Sequence, residues 1–488
     1  MSIVCAHPKG CVFYVTLPER APREVLFCFE GGETVSERVA LIGDNSVEYI
    51  GLLFDIWNQE GCAVLIDPQT PVTSAIEMMH DANVKKCYIE HKYYLQICNH
   101  IADETELIPY YSTSNTTQLL MPESYKKFKA CYSKSEAVII YSSGTTGKSK
   151  GIILSHYALN TNANAIIDYM RPRPDDRLYI IRNLTHSSTI TGELLVAAKA
   201  KIPILISPVK VPPRYVFNNI AKYLITIIGL NPLLLSMYAG EYSKGDYDIP
   251  TLRKVYVSGS ILNDKIYNMA HKTFPGIELY NVYGLSEAAP RVSAQQKECS
   301  KSNSVGKPIS GVKVAIVDDN GLPVPKGVRG IVHVSTPSIF DGYVCGQLKH
   351  ASKYQGWLNT GDVGYFDEND ELHIDARVDD MLIIGAHKIY PAEIEKRIIS
   401  CADVNECAVT AVSHHDAEIL CCLYVANQEI TADIINRLEG VLIKYEIPKI
   451  FLRTDAIPRT TNGKISHKLV QDLFVKKLDG GSTWKNNK

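Results

Sequence analysis

The sequence predicts an α/β protein with a large N-terminal domain of doubly wound sheets plus a small antiparallel, barrel-like sheet, and a small α+β C-terminal domain. Three observations predict it. Apolar, strand-like runs alternate with segments of helical periodicity through the first part of the chain. Short strands separated by turn residues follow residue 305, and a compact α-β-β-α-β order follows Arg377. We therefore expect residues 1–377 to form one domain and residues 378–488 a second.

The composition is that of a globular protein without a basic excess. Of the 488 residues, 45% are hydrophobic and 21% are charged, and the formal net charge is −2. Nothing in this balance favours binding to nucleic acid. The 13 cysteines include no CxxC pair, which favours a reducing compartment. No segment has the apolar core of a signal peptide or the ~20 apolar residues of a spanning helix, so we expect a cytoplasmic protein without a membrane span.

Short apolar runs and periodic segments alternate in the first hundred residues. The runs predict strands at Arg38–Ile42, Cys62–Ile66 and Lys86–Glu90, and the segments predict helices at Ser46–Gln59 and Thr73–Asn83. This order favours a parallel sheet. The polar stretch 109–135 has no clear period, and we expect a surface connection there.

The alternation resumes with a helix predicted at Ser155–Tyr169, capped by Ser155, and continues to strands at Lys254–Ser258 and Glu278–Tyr283. Antiparallel strands are then expected at Val312–Asp318, Gly330–Ser335, Val363–Phe366 and Glu371–Ile374. The last part predicts two helices and three strands, namely Pro391–Ser400, Glu406–Val412, Ile419–Val425, Thr431–Lys444 and Lys449–Arg453.

A glycine-rich loop follows the apolar run 138–141. It contains Ser142, Ser143, Gly144, Thr145, Thr146 and Gly147, followed by Lys148 and Lys150. Glycines let backbone N–H groups approach a ligand, and hydroxyls and lysines add donors and positive charge, a combination that suits phosphate. The spacing is not that of a P-loop, and such clusters are often simple turns, so the loop alone leaves both interpretations open.

Four further stretches carry chemistry. Residues 281–287 follow a strand, so Tyr283 could stack on a base and Glu287 could hold Mg²⁺ beside phosphates. Asp362, after a Gly turn, could accept both hydroxyls of a ribose, or be an ordinary turn residue. The polar stretch 375–388 could form a hinge. The loop 457–464 presents Lys464, which by itself is best read as a solvated surface lysine.

Taken together and in this order, the stretches resemble the adenylate-forming superfamily of acyl-CoA synthetases, peptide-synthetase adenylation domains and luciferases. Residues 61–71 resemble an early family block, 141–151 the phosphate loop with Ser149 where proline is usual, and 283–287 the Tyr-Gly-x-Thr-Glu motif with Ser286 for threonine. Residues 360–362, 377–388 and 458–464 resemble the ribose, hinge and lysine motifs. The resemblance covers nearly the whole chain.

The resemblance implies a two-step, Mg²⁺-dependent reaction. A small carboxylic acid attacks the α-phosphate of ATP, giving acyl-AMP and pyrophosphate, and a thiol then displaces AMP. Lys464 would stabilise the reacting charges, Glu287 would bind Mg²⁺, and Asp362 with Arg377 would hold the ribose. The remaining nucleotide-binding residues would be Ser142, Ser143, Gly144, Thr145, Thr146, Gly147, Lys150, Tyr283, Gly284 and Ser286.

The resemblance also implies that the C-terminal domain is mobile. It would rotate about Asp379 between the two steps, with Gly385 and Ala386 then lining the thiol channel. The thiol would belong to coenzyme A or to the phosphopantetheine arm of a carrier protein, and fewer than thirty residues follow Lys464, so we expect such a carrier to be a separate chain. The acid, the pathway and the oligomeric state are not predicted.

The acid pocket is assigned by position. His186 matches a pocket-gating residue with a catalytic role, or is a satisfied core histidine. Ser187 stands where domains that activate α-amino acids usually carry an Asp, and a hydroxyl cannot neutralise a buried ammonium, which favours an acyl or aryl acid. The other pocket positions are Tyr256, Ser258, Val282, Pro290 and Arg291, and Arg291 either pairs a second anionic or polar group of the substrate or points to solvent.

Two alternatives to an acid–thiol ligase remain open. One is a nucleotide-sensing, non-catalytic member, which the presence of Lys464, Glu287 and Asp362 disfavours. The other is an enzyme of the same superfamily with a different outcome: a stand-alone amino-acid adenylation enzyme, a ligase that uses an amine, or an oxygen-using luciferase.

Overall fold

The computed structural model of the chain describes residues 3–6, 12–15, 36–100, 105–125, 128–142, 149–209, 211–245, 247–274, 276–296, 304–344, 353–354, 356–384, 387–400, 403–414, 417–439, 441–459 and 465–479. The chain forms two compact units, Met1–Val35 and Ser36–Lys488. In the first unit, two strands, β1 (Ile3–Ala6) and β2 (Val12–Val15), pair antiparallel.

The second unit contains the remaining strands and all the helices of the described residues. The strands are β3 (Arg38–Ile42), β4 (Cys62–Ile66), β5 (Lys86–Glu90), β6 (Glu106–Tyr110), β7 (Gln118–Leu120), β8 (Glu136–Ser142), β9 (Lys150–Ser155), β10 (Leu178–Ile180), β11 (Ile204–Ile206), β12 (Ile227–Leu230), β13 (Lys254–Val257), β14 (Glu278–Gly284), β15 (Arg291–Ala294), β16 (Lys307–Pro308), β17 (Lys313–Val317), β18 (Gly330–Ser335), β19 (Gly342–Tyr343), β20 (Lys353–Tyr354), β21 (Trp357–Phe366), β22 (Leu372–Arg377), β23 (Leu382–Ile384), β24 (His387–Ile389), β25 (Glu406–His414), β26 (Ala417–Val425) and β27 (Ile450–Thr454). The helices are α1 (Val47–Asn58), α2 (Val72–Asp81), α3 (His91–Ile97), α4 (His156–Met170), α5 (Ser187–Thr189), α6 (Val196–Ala200), α7 (Pro213–Tyr223), α8 (Pro232–Tyr242), α9 (Asp264–Thr273), α10 (Pro391–Ser400), α11 (Thr431–Leu438) and α12 (His467–Asp479), with a π-helical turn at Ile190–Leu195.

Two large mixed sheets form the N-terminal part. The first has the order β19-β9-β8-β4-β3-β5-β6 and is parallel from β8 to β6. The second has the order β16-β15-β14-β13-β12-β10-β11-β7 and is parallel from β14 to β11. Strands of a parallel sheet are buried on both faces, which is why these segments are continuous apolar runs. The predicted doubly wound sheets are therefore confirmed.

Several helices begin after a residue whose side chain satisfies a free backbone N–H group. The Ser46 hydroxyl accepts from Tyr49 N at the start of α1, and Ser155 accepts from Ala158 N at the start of α4, as predicted. Asn231 caps α8 in the same way, with Pro232 at the first helical position. One hydrophobic core joins α1 and α4 to residues of both large sheets and of the antiparallel sheet.

A smaller antiparallel sheet, β17-β18-β21-β20 with β22 beside β21, follows the two large ones. The last part of the chain folds α10, α11 and α12 onto the three-stranded sheet β25-β26-β27. Its α-β-β-α-β order is confirmed. Polar contacts join it to the preceding part: Arg329 bonds both Asp375 and Glu393 at 2.7 Å, and Lys265 Nζ donates to Val404 O at 2.7 Å. The division at residues 377 and 378 stays a prediction.

Three local predictions are wrong. The stretch 109–135 is not only a connection, because β7 forms the edge of the second sheet and a 3₁₀ turn follows at Pro122–Tyr125. Asp362 does not follow a turn but lies within β21, where Gly361 takes a φ of +71°. The helix α11 ends at Leu438 and not at Lys444; Gly440 in the sequence is a residue that favours helix ends.

Candidate active site

The glycine-rich loop connects the end of β8 to the start of β9, two paired strands of the first sheet. Ser142 and Lys150 are register partners of β8 and β9, so both lie at the base of the loop. The Nζ atom of Lys150 lies 5.9 Å from the centroid of the Tyr343 ring, a cation–π distance. The loop residues Ser143, Gly144, Thr145, Thr146 and Gly147 lie outside the described residues.

Tyr343 connects this loop base to Glu287. Its hydroxyl donates to Glu287 Oε1 at 2.9 Å, and Phe340 N donates to the Glu287 carbonyl at 2.8 Å. Burial, and then the Glu287 carboxylate, raise the pKa of the Tyr343 phenol above its ordinary value. The phenol therefore keeps its proton at neutral pH and holds one carboxylate oxygen in place. Sequence reasoning missed Tyr343, since no motif contains it.

Tyr283 and Asp362 meet although 79 residues separate them. The Tyr283 hydroxyl donates to Asp362 Oδ2, while Arg377 Nε lies 3.3 Å from Asp362 Oδ1 across the β21–β22 pair. Burial, and then Asp362, raise the pKa of the Tyr283 phenol well above its usual value, so it stays a donor. The Asp362 backbone is anchored in turn by its N–H donating to Thr360 Oγ1 at 3.0 Å.

Gly284 ends β14, and Ser286 begins the 3₁₀ turn that contains Glu287. A Cβ on Gly284 would lie 2.1 Å from the Pro290 carbonyl oxygen, so only glycine allows this close approach of the backbone. Ser286 lies in a 3₁₀ turn with Glu287, and its hydroxyl is 3.0 Å from that of Ser187. Ser187 thereby ties α5 to the Glu287 turn.

His186 is half-buried at the start of α5 and lines a cavity of ≈ 200 Å³. Tyr141 and Ser149, at the base of the glycine-rich loop, line the same cavity, as does Asp67. The placement beside the loop favours the pocket-gating interpretation of His186 over that of a core histidine.

The predicted pocket positions converge on a buried cluster of charges. Arg182 Nη1 donates to Ser258 Oγ at 2.8 Å, and Arg182 Nε donates to Glu193 Oε1 at 2.9 Å. Two guanidinium groups lie near the Tyr256 ring, with Arg182 and Arg291 each 5.5 Å from its centroid. Burial raises the pKa of the Glu193 carboxyl, against the opposing effect of Arg182.

Arg291 is 2% exposed, so the alternative that it points to solvent is wrong. It begins β15 opposite Gly284. Its backbone is held by the buried Asn162, whose side-chain oxygen accepts from Arg291 N at 3.0 Å and whose amide donates to Arg291 O at 2.9 Å. The other two pocket positions, Val282 and Pro290, are also buried, and Val282 packs in the main core.

Arg182 and Glu193 belong to this buried cluster, and sequence reasoning missed them. Each is a single charged residue next to an apolar run. Arg182 follows the run Tyr179–Ile181, and Glu193 precedes the run Leu194–Ala198. Since charged residues are almost never fully buried without a partner, two such isolated charges were a signal for a buried pair.

Several predicted residues cannot be placed. Lys464, Gly385 and Ala386 lie outside the described residues. For Asp379 only the backbone is described, in a 3₁₀ turn at Val378–Asp380 between β22 and β23. No group of three or more His, Cys, Asp or Glu side chains that could hold a metal by itself occurs in the described part. No helix in the described ranges is long and apolar enough to cross a membrane.

Two family models match the chain. The model of the AMP-binding enzyme family matches residues 30–344, and that of the AMP-binding enzyme C-terminal domain matches residues 393–464. Among curated relatives, the indoleacetate–CoA ligase of Aromatoleum aromaticum is 30% identical over 348 residues, covering 70% of this chain and 68% of the relative. The 2-succinylbenzoate–CoA ligase of Bacillus mycoides is 27% identical, covering 95% of this chain and 94% of the relative.

Solved structures of similar fold include ATP-bound MatB from Rhodopseudomonas palustris, with a TM-score of 0.77, 23% identity and coverage of 91% of this chain and 90% of that one. The Bacillus subtilis o-succinylbenzoate CoA synthetase bound to its acyl-adenylate intermediate has a TM-score of 0.75, 21% identity and coverage of 90% and 89%. The family models and the curated relatives confirm the predicted superfamily and the acid–thiol ligase class. The chain belongs to the adenylate-forming superfamily of AMP-binding enzymes.

Proposed function

We propose that this enzyme uses ATP to convert a carboxylic acid into an acyl-AMP, releases pyrophosphate, and transfers the acyl group to a thiol. One observation carries the proposal. An unbroken series of contacts runs from Lys150 through Tyr343 to the Glu287 turn, and from Tyr283 in that turn's strand to Asp362 and Arg377. Residues from three sheets thereby form one site for the phosphates and the ribose of a nucleotide.

Each charge in this site suits one part of the nucleotide. Lys150 and the hydroxyl of Ser142 lie at the loop base, where they would bind the departing phosphates. Asp362 is fixed by Tyr283 and Arg377, so its carboxylate is oriented to accept the two ribose hydroxyls. Lys464 would supply the positive charge at the α-phosphate, where the attacking carboxylate meets like charge.

Magnesium fits the residues present. Mg²⁺ is usually bound by one or two carboxylates together with substrate phosphates. Glu287 offers a half-buried carboxylate whose orientation is fixed by Tyr343, the residue whose ring Lys150 approaches at the base of the phosphate loop. Glu287 would hold the ion, which would offset negative charge on the phosphates when bound.

Coenzyme A is the thiol that we propose as acceptor. The relatives named CoA ligases match over most of their own length, 68% and 94%, whereas a matching linear gramicidin synthase from Brevibacillus parabrevis is covered over only 9% of its length. A separate carrier protein is the second acceptor to test. We propose that the enzyme is located in the cytoplasm, because its 13 cysteines without a CxxC pair favour a reducing compartment.

The test is acid-dependent exchange of labelled pyrophosphate into ATP, measured across a panel of aliphatic, aryl, dicarboxylic and α-amino acids. We expect exchange with at least one acid that lacks an α-ammonium, because Ser187 offers no carboxylate to pair one and hydrogen-bonds to Ser286 instead. Exchange confined to α-amino acids would support an amino-acid adenylation enzyme. ATP binding without exchange for any acid would contradict the proposal and support a nucleotide sensor.

A further inference from the structure

The buried cluster beside the nucleotide site contains more positive than negative charge. The guanidinium groups of Arg182 and Arg291 each lie 5.5 Å from the centroid of the Tyr256 ring, and Arg182 bonds the Glu193 carboxylate, so the cluster contains two guanidinium groups and one carboxylate. Burial of an unpaired charge is costly, and proteins retain such a group where a ligand or another function requires it. The surplus positive charge of this cluster therefore favours the binding of an anion.

The unsatisfied donors belong to Arg291. Arg182 is occupied, since it bonds Glu193 and Ser258 and approaches the Tyr256 hydroxyl. Among the described residues, Arg291 Nε and Nη1 are buried without any hydrogen-bond partner. Glu193 Oε2 and the buried hydroxyls of Tyr169, Thr189 and Thr191 also lack a hydrogen-bond partner among the described residues, so none of them satisfies these two donors.

The position of Arg291 connects it with the acid. It lies opposite Gly284, the last residue of β14, and three residues after Ala288, the last residue of the Glu287 turn. Its Nη2 atom would be 3.2 Å from a Cβ on Gly192, a residue of the π-helical turn that also carries Glu193. Glycine at this position lets the guanidinium pack closely against the turn, and π-helical turns are frequent at functional sites.

We propose that Arg291 binds a second anionic group of the acid substrate, so that the enzyme prefers dicarboxylic acids or similar dianions. This inference rests on the proposed acid activation and deepens it. The planar guanidinium presents its Nε–H and Nη–H donors in the fork that a carboxylate accepts. One substrate carboxylate reacts with ATP, and the second pairs with Arg291 and balances the buried charge. An ammonium group on the substrate is disfavoured by the same surplus of positive charge.

Matched acids test the inference in the pyrophosphate exchange assay. Dicarboxylic acids, linear and aromatic, are compared with monoamides and monocarboxylic acids of equal length. We expect kcat/KM for a diacid to exceed that for its monoamide by at least about tenfold, because leaving a buried charge unpaired costs more than the 1.4 kcal/mol that corresponds to tenfold. In Arg291→Gln the preference should disappear through a higher KM for the diacid, with the KM for ATP unchanged.

Two further variants separate recognition from structure. Arg291→Lys keeps the charge without the fork and should restore part of the preference, whereas Arg214→Gln makes the same change on the exposed surface of α7 and should alter nothing. Equal activity with diacids and monoamides, or an equal loss for all acids in Arg291→Gln, would overturn the inference and leave acid activation intact.

A binding measurement keeps the inference testable if no acid supports exchange. Thermal unfolding with a non-hydrolysable ATP analogue is followed with and without the diacids. A diacid should raise the unfolding temperature of the wild-type chain and of Arg291→Lys but not of Arg291→Gln. No shift in the wild-type chain, or the same shift in all three, would overturn the assignment of Arg291.

Discussion

Replacing Lys464 by alanine is expected to lower the rate of acyl-AMP formation about 10²- to 10³-fold, the magnitude found when one group that stabilises transition-state charge is removed. The attacking carboxylate and the α-phosphate repel each other, and a lysine ammonium is a compact charge that offsets the repulsion. The measurement is single-turnover formation of acyl-AMP from the acid and ATP. Lys468→Ala, an exposed lysine of the same part of the chain, is the matched control and should behave as the wild type.

The second half-reaction is expected to survive in Lys464→Ala. The resemblance implies that the C-terminal domain rotates between the steps, so Lys464 serves the first conformation only. The described polar contacts that a rotation would break are few: Arg329 with Glu393, both partly exposed, and Lys265 with the Val404 carbonyl. Thioester formation from supplied acyl-AMP and coenzyme A measures this step. An equal loss in both half-reactions would contradict the rotation.

Asp362→Ala is expected to lower kcat/KM for ATP about 10²-fold. Hydrogen bonds to a charged group contribute about 1.5 to 3 kcal/mol each, and the carboxylate would accept from both ribose hydroxyls. The substitution also leaves Tyr283 and Arg377 without their shared partner. Steady-state kinetics with ATP as the varied substrate provide the measurement.

The control for Asp362→Ala removes an exposed carboxylate that is not held by a buried hydrogen bond. The Asp455 side chain is 99% exposed and lies 3.8 Å from its nearest cation, so Asp455→Ala should change neither the KM for ATP nor kcat. A normal KM for ATP in Asp362→Ala would contradict the assignment of this residue to the ribose.

Much of the fold could be predicted because the hydrophobic periodicity is strong where burial is strong. Strands β3 and β4 and the helix α10 occur at the predicted residues. A fully buried strand gives a continuous apolar run, and an amphipathic helix gives a clear hydrophobic periodicity. The strand β7 has only three residues at a sheet edge, too few for a period, and was missed. Asp362 was assigned to a turn because glycine is common in turns, yet here Gly361 is accommodated within a strand.

Candidate site residues could be assigned from the sequence where one stretch resembles a whole family motif, as with Tyr283 and Glu287 or with Asp362. The partners that fix these groups come from elsewhere in the chain. Tyr343 reaches Glu287 across 56 residues, and Asn162 reaches the Arg291 backbone across 129. Local sequence holds no information about such pairings, so the orientation of Glu287 and the burial of Arg291 could be known only from the three-dimensional structure.

The central claim is that the acid is activated as an adenylate in the site formed by Glu287, Asp362 and Lys464. The most direct measurement is the identification of products from the acid, ATP and Mg²⁺ without a thiol, by mass spectrometry and separation of the nucleotides. We predict equal amounts of acyl-AMP and pyrophosphate, with the acyl-AMP converted to thioester and AMP when coenzyme A is added. Formation of ADP with phosphate, or of free AMP with no acid requirement, would contradict the account.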